Sequence, residues 1–142
     1  MAMLGLDVSA YQPALPWPQF YAAGRQFVIV KVSESDWADP MAARHIAGAK
    51  AAGLDAGFYH FLGQTDGVLQ ARTFARLAPV DNTLLYGLPR YWVDVETGVN
   101  MSGVLTAFLY AWKSLTNAVI GIYTGQGAWA NCVGNGHTEF GV

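Results

Sequence analysis

Short apolar runs alternate with longer mixed segments along this chain. The runs are rich in valine, isoleucine and aromatic residues, a composition typical of strands buried in a parallel sheet. Most of the longer segments end at glycine or proline, as helices commonly do, and Asp39 is the expected N-cap of one of them. The pattern predicts strands at residues 4–9, 27–33, 56–61, 91–97 and 119–123, with helices at residues 19–23, 39–52, 66–78 and 102–117.

This order of elements predicts an α/β fold built from parallel βαβ units with right-handed crossovers. Two architectures fit it, an open doubly wound sheet and part of a (β/α) barrel. A dinucleotide-binding sheet is disfavoured because no G-x-G-x-x-G follows the first strand. In a barrel, functional residues collect at the carboxyl ends of the strands. The strand ends of this chain carry Asp7, Glu34, His60, Asp94, Glu96 and Tyr123.

Composition narrows the class of protein. The chain has 142 residues, of which 53% are hydrophobic and 13% charged, which suits one globular domain over residues 1–142. Its net charge of −2 and its lack of a Lys/Arg cluster argue against a nucleic-acid partner. No apolar run predicts membrane insertion, and the single cysteine excludes an internal disulfide. Residues 125–142 are rich in Gly and Asn and are expected to form an irregular tail, with at most one helical turn near Trp129.

The most informative stretch is YWVDVET at residues 91–97. Side chains alternate between the two faces of a strand, so Trp92, Asp94 and Glu96 share one face. The Cα atoms of the two acids are then roughly 6.5–7 Å apart. Two carboxyl groups at such a spacing can flank a glycosidic bond, where one protonates the leaving oxygen. The alternative interpretation of these acids is a solvated strand end.

Five motifs follow one another in an order known from an enzyme family. Residues 5–12 read GLDVSAYQ, residues 27–34 read FVIVKVSE and residues 56–61 read AGFYHF. The DVE of residues 94–96 and the GIYT of residues 121–124 complete the set. Together they resemble glycoside hydrolase family 25, the Chalaropsis-type lysozymes. A lone Asp-x-Glu would be a weak signal, whereas five motifs in family order and spacing are specific.

The resemblance implies an N-acetylmuramidase, which hydrolyses the β-1,4 bond between N-acetylmuramic acid and N-acetylglucosamine in peptidoglycan. It implies Glu96 as the general acid, and Asp7 as a support for Asp94 or for a water molecule. Asp94 would orient or polarise the acetamido group of the substrate if the reaction is substrate-assisted. A general acid needs a raised pKa, which a neighbouring carboxylate supplies by disfavouring a second negative charge. No metal and no cofactor is implied.

Other side chains are candidates for binding the sugar. Tyr59 and Tyr123 line the sugar site by resemblance to the family. Glu34 and Trp92 are further candidates, with a solvated loop acid and barrel packing as their alternatives. Trp129 follows the fifth strand and is expected to be exposed for glycan stacking.

Three remaining residues are expected to have structural roles. Lys31 interrupts an apolar strand, and because buried lysines are rare unless paired, Asp7 or Asp94 is its expected partner. The alternative is a side chain whose stem is buried while its ammonium group reaches solvent. His60 falls on the strand face opposite Tyr59 and is expected to pack between strand and helix. Cys132 is expected to be a small buried residue.

The chain departs from the family at its end, because family members have about three further barrel strands. We therefore expect an incomplete TIM-like (β/α) barrel of about five parallel units whose final strands are missing. Its bare edge invites pairing. Self-association or another polypeptide is expected to cover it near residues 119–142, unless the tail folds back and plugs the opening.

The expected function is peptidoglycan hydrolysis, with a phage-derived endolysin or virion tail-associated hydrolase as the source. The N-terminus lacks the basic and apolar regions of a signal peptide. This predicts a location in the host cytoplasm before lysis, or on the virion, with action on the bacterial cell wall. A non-catalytic structural or glycan-binding phage tail protein that keeps the muramidase fold is the alternative, and an unrelated α/β fragment is a weaker third.

Overall fold

The computed structural model describes residues 2–134 and residue 140. Strands and helices alternate along it, as the apolar pattern predicts. The strands are β1 Gly5–Val8, β2 Phe27–Glu34, β3 Trp37–Ala38, β4 Asp55–Phe61, β5 Tyr91–Asp94 and β6 Ile120–Tyr123. The helices are α1 Trp17–Ala22, α2 Ala42–Ala51, α3 Gly67–Leu77, α4 Ser102–Thr116 and α5 Gln126–Cys132.

The five longer strands form one parallel sheet in the order β1-β2-β4-β5-β6. The two-residue β3, which the sequence pattern did not predict, pairs antiparallel with the end of β2. Because the strands lie side by side in chain order, the sheet has none of the order reversal that defines a doubly wound fold. The carboxyl ends of all five strands therefore point the same way, and the predicted parallel α/β fold is confirmed.

One face of the sheet is covered by helices and holds the apolar core. Val28, Val30 and Val93 on this face have no exposed surface. Above them the Phe74 ring of α3 lies 4.8 Å from the Trp112 ring of α4. The Tyr91 ring of β5 lies 5.2 Å from that same Trp112 ring. Each of these large rings buries much apolar area against the helix layer. None of the helices in the described part of the chain is long and apolar enough to cross a membrane.

The opposite face of the sheet is covered by its own large side chains, which lie across glycines of neighbouring strands. A side chain at Gly5 would overlap the Phe27 ring, and one at Gly121 would overlap the Trp92 ring. A side chain at Gly57 would meet Ile29 and Leu85, and Leu85 belongs to the loop before β5. The loop is held by an isolated bridge between Leu85 and Leu88. These contacts close the amino-terminal side of this face.

Two local expectations need correction. Helix α2 begins at Ala42 with Met41 as its N-cap. Asp39 is buried and connects the start of α2 to the loop after β1. Its carboxylate accepts hydrogen bonds from the Met41 N–H at 2.8 Å and the Ala10 N–H at 3.0 Å. The expected irregular tail contains α5, which is longer than a single turn because its apolar side chains pack into the core. Residues 135–139 and 141–142 of that tail lie outside the described residues.

The close packing of α3 against α4 generates a stability prediction. Gly67→Ala is expected to lower the free energy of unfolding by about 1–3 kcal/mol, because its methyl group would overlap the carbonyl oxygen of Val104 on α4. The control is Gly103→Ala, a helical position with nothing within 4 Å, which is expected to raise stability by up to about 1 kcal/mol. Denaturant unfolding measures both. Equal effects of the two substitutions would contradict this packing.

Candidate active site

A cleft of about 580 Å³ opens on the sheet face opposite the helices and reaches the carboxyl ends of the strands. The site residues predicted from the sequence can be compared with its lining. Seven of the eight predicted site residues line it: Asp7, Glu34, Tyr59, Trp92, Asp94, Glu96 and Tyr123. The rest of the lining was not predicted as part of a site and consists of Ser9, Tyr11, Gln12, Phe27, Ile29, Lys31, Phe61, Leu85, Leu88 and Pro89.

Strand alternation accounts for most of this lining. Phe27, Ile29 and Lys31 are alternate residues of β2, so a period-two reading of this strand would have found them. Glu34 would face the helices if the alternation continued. The register of β2 against β4 shifts between Lys31 and Ser33, so one extra residue is accommodated there. Such a bulge reverses the alternation and brings Glu34 to the cleft with Lys31.

Asp94 is the buried member of the predicted acid pair, with 7% of its surface exposed, whereas Glu96 is exposed. Burial is the main cause of a pKa of about 7 for Asp94. The charge of Glu96 and, more weakly, that of Asp7 act in the same direction, and Lys31 opposes them. The Asp94 Oδ1 atom has no hydrogen-bond partner among the described residues. Asp94 is therefore partly protonated near neutral pH and free to bind a polar group.

Two neighbours of Asp94 are also placed to bind a polar group. Burial raises the pKa of Tyr59 above its usual range, with additional effects of the Asp94 and Asp7 charges and an opposing hydrogen bond to Ser9. Tyr59 therefore stays a neutral hydroxyl. The Trp92 Nε1–H is buried without a hydrogen-bond partner among the described residues. An unpaired donor beside an unpaired carboxyl oxygen suits an amide group, which offers both an acceptor and an N–H.

Lys31 pairs with a different acid from the one expected. Its ammonium group contacts the Glu34 carboxylate, and neither Asp7 nor Asp94 forms that ion pair. It also lies 5.1 Å from the centre of the Phe61 ring and 5.7 Å from that of Trp37. The bulge in β2 accounts for the difference, because it brings Glu34 to the same face as Lys31.

The loop after β1 is fixed by hydrogen bonds from three directions. The Ser9 N–H donates to Gln12 Oε1 at 2.9 Å, and the Ser9 carbonyl oxygen lies 3.0 Å from His45 Nε2 on α2. Asp39 holds Ala10, as described above. Ser9 is thereby held beside Tyr59 at the edge of the cleft.

Trp129 does not belong to the cleft. It is 6% exposed and packs edge-on against Phe140, with ring centres 5.7 Å apart. It lies on α5, whose Cys132 carbonyl accepts a hydrogen bond from the Met101 N–H at 2.7 Å. Trp129 is a core residue because its segment is helical, so the exposed loop expected at this position is wrong. Cys132 itself is buried, as expected.

In the part of the chain that the structure describes, no group of three or more His, Cys, Asp or Glu side chains is placed to hold a metal ion. The cleft presents carboxyls, hydroxyls, an ammonium group and an indole.

Paired carboxyl groups at the carboxyl ends of parallel strands define a glycoside hydrolase type of site. The family profile of Glycosyl hydrolases family 25 matches residues 6–141. The chain belongs to this family, and the enzyme class expected from the sequence, a lysozyme-type glycosidase, is confirmed.

Individual relatives agree with the family. The N,O-diacetylmuramidase of Chalaropsis sp is 32% identical over 151 residues, which cover 92% of this chain and 70% of that enzyme. Lysozyme M1 of Streptomyces globisporus is 28% identical, and this chain spans 49% of its length. A muramidase structure from Trichobolus zukalii superposes with a TM-score of 0.81 at 30% identity, covering 94% of this chain and 70% of that one.

The burial of Asp94 predicts how it titrates. Carbon-detected NMR of the side-chain carboxyl groups is expected to give a midpoint near 7 for Asp94. Glu96→Gln is expected to lower that midpoint, because it removes a negative charge that disfavours ionisation of Asp94. Asp55 is the internal reference, since its hydrogen bond to Arg90 holds its pKa below the usual value. An Asp94 midpoint that ignores the Glu96 substitution would refute the coupling.

Proposed function

We propose that this protein hydrolyses the β-1,4 bond between N-acetylmuramic acid and N-acetylglucosamine in bacterial peptidoglycan. The observation that carries the proposal is the acid pair itself: a buried Asp94 with an unpaired oxygen beside an exposed Glu96, in one cleft. The names of the Chalaropsis and Trichobolus relatives, a diacetylmuramidase and a muramidase, support the same bond.

The two acids suit different steps. Glu96 is exposed and can meet the glycosidic oxygen, to which it donates a proton as the bond from that oxygen to the sugar C1 breaks. The acetamido carbonyl oxygen of the same sugar then bonds to C1, and the amide N–H gains positive charge. Asp94, as a carboxylate, accepts a hydrogen bond from that N–H. Water then bonds to C1 as the bond from C1 to the acetamido oxygen breaks, and Glu96 takes a proton from that water. This restores both the acetamido group and the acid.

The remaining cleft residues position the sugar. Trp92 Nε1–H and the Tyr59 hydroxyl are donors for the acetamido and ring oxygens, and Asp7 supports the Asp94 side of the cleft through its charge. Tyr123, which is exposed at the rim, offers a ring face for stacking. Glu34 forms an ion pair with Lys31 and affects the cleft through the charge of that lysine.

We also infer that residues 1–142 form one domain that is an incomplete TIM-like barrel. Three features support this inference: the strands follow chain order, the helices cover one face, and β1 and β6 each lack a second strand neighbour within the described residues. The chain covers about 70% of the length of the Chalaropsis enzyme, in line with missing final strands.

The open β6 edge is proposed to pair with a second copy or with another polypeptide. Val119, the residue immediately before β6, is 59% exposed. Sedimentation is expected to show a concentration-dependent dimer that Val119→Lys converts to monomer, since a charge on an edge blocks pairing. Val99→Lys, at an equally apolar and exposed position elsewhere, should leave the dimer intact. A monomer at micromolar concentration that binds no hydrophobic dye would exclude this assembly.

A phage role, as an endolysin or a virion tail-associated hydrolase, stays a prediction from the sequence. The competing function, a non-catalytic structural or glycan-binding tail protein, is favoured by the incomplete sheet alone. Turnover separates the two, because a binding protein would adsorb to cell walls without releasing new reducing ends.

The role of Glu96 gives a direct test of function. Glu96→Gln keeps the size of the side chain but removes its transferable proton, so it is expected to lower the rate of wall hydrolysis by at least about 10²-fold. The assay follows both the clearing of purified cell walls and the new reducing ends. Asp36→Asn is the matched control, because Asp36 is exposed and outside the cleft. Undiminished hydrolysis by the Glu96 variant would disprove the assignment.

A further inference from the structure

The charges in the cleft are unbalanced. Four carboxyl groups line it, those of Asp7, Glu34, Asp94 and Glu96, and Lys31 is the single cation among its described lining residues. Carboxylates at close range oppose one another's ionisation. The ionisation of Asp94 therefore depends on how strongly the positive charge of Lys31 attracts its carboxylate.

The geometry of β2 places Lys31 and Glu34 together. The bulge at Val32 turns Ser33 away from the cleft and toward the helices. On that side its hydroxyl lies 2.8 Å from His60 Nδ1. The other ring nitrogen of His60 lies 2.9 Å from Gln70 Oε1 on α3, and all of these groups are buried. The buried contact between Ser33 and His60 holds the bulge in place. Lys31 and Glu34, which lie on either side of the bulge, therefore both point into the cleft.

Lys31 itself has little freedom. It is 5% exposed, its ammonium contacts Glu34, and the rings of Phe61 and Trp37 flank it. A lysine held in this way acts as a fixed charge, because its stem cannot carry the ammonium to solvent. Glu34, which is more exposed than Lys31, offsets part of that charge.

We propose that the Lys31–Glu34 ion pair is a positioning element that sets the charge of Asp94, and with it the pH range in which the cleft works. Lys31 favours the Asp94 carboxylate, and Glu34 limits that effect. The two residues therefore act in opposite directions on the same group, although they form one ion pair. The link to working pH rests on the proposed muramidase function, whereas the link to Asp94 does not.

The other titratable groups around Asp94 cannot replace this pair. Asp7 on β1, Tyr59 on β4, and Glu96 and Tyr123 at the strand ends add negative charge or none. Beyond them stand Tyr11, Asp39 behind the loop after β1, and Cys132 on α5. His60, on the helix side, is neutral above acidic pH because burial lowers its pKa to about 4. Lys31 is thus the one group of opposite charge at neutral pH among these described residues.

The test is an NMR titration of the Asp94 carboxyl in four proteins. Lys31→Met is expected to raise the Asp94 midpoint by about one pH unit or more, because it removes the attraction and leaves Glu34 unpaired. Glu34→Gln is expected to lower the midpoint, because Lys31 then acts without an offset. Lys31→Arg keeps the charge and should restore a midpoint close to that of the unsubstituted protein. Lys50→Met, which removes an exposed lysine on α2, should leave the midpoint unchanged.

Opposite shifts from Lys31→Met and Glu34→Gln would support the proposal, since loss of a merely structural contact moves both in the same direction or moves neither. Equal or absent shifts in folded variants would overturn it. If Lys31→Met does not fold, the Glu34→Gln and Lys31→Arg titrations still decide. In the activity arm, the acid limb of the pH profile of kcat/KM should follow the Asp94 midpoint. An inactive unsubstituted protein would count against the muramidase function and leave the titration result standing.

Discussion

The structure depends on the separation of the two faces of a parallel sheet. Every second side chain of each strand points toward the helices, and the residues between them point the other way. On the helix side the valines and aromatic rings form a buried core. On the other side the same strands carry carboxyls, an ammonium group, a phenol and an indole. Because the five longer strands run in one direction, their chemically active ends meet at one opening. The loops after β1 and before β5 complete its lining.

This separation explains why much of the molecule could be predicted. Strand positions follow from apolar runs, and the cleft positions of Asp7, Tyr59 and Asp94 follow from strand ends and alternation. Both signals are local in sequence. The prediction failed where a distant contact decided the outcome: Trp129 is buried because α5 packs back onto the chain near Met101, and no local pattern in a Gly-rich segment announces that contact.

The same limit applies inside the site. Asp94 and Glu96 have the same carboxyl chemistry and lie two residues apart, so the sequence could not say which one burial would affect. Lys31 required a partner, but its partner was set by one extra residue in β2. Leu85 and Leu88 do not belong to an alternating or helical hydrophobic pattern. Their place in the cleft follows from the backbone bridge between them and from the packing of Leu85 over Gly57. Burial, bulges and loop closure are properties of the folded chain as a whole.

Two of the buried titratable groups, His60 behind the cleft and Asp94 within it, change the stability of the fold in opposite directions as the pH falls. His60 has a lowered pKa of about 4, so between pH 6.5 and 4 the unfolded chain takes up a proton that the native state refuses, and stability falls as the pH falls. Asp94 has a pKa raised to about 7, so between pH 7 and 4 the native state holds a proton that the unfolded chain has lost, and stability rises as the pH falls. When the chain unfolds within the pH range that the two groups share, His60 takes up a proton and Asp94 releases one. Their effects on stability therefore have opposite signs. The stability contributions of His60 and Asp94 therefore partly cancel on mild acidification, while the charge of Asp94 in the cleft changes.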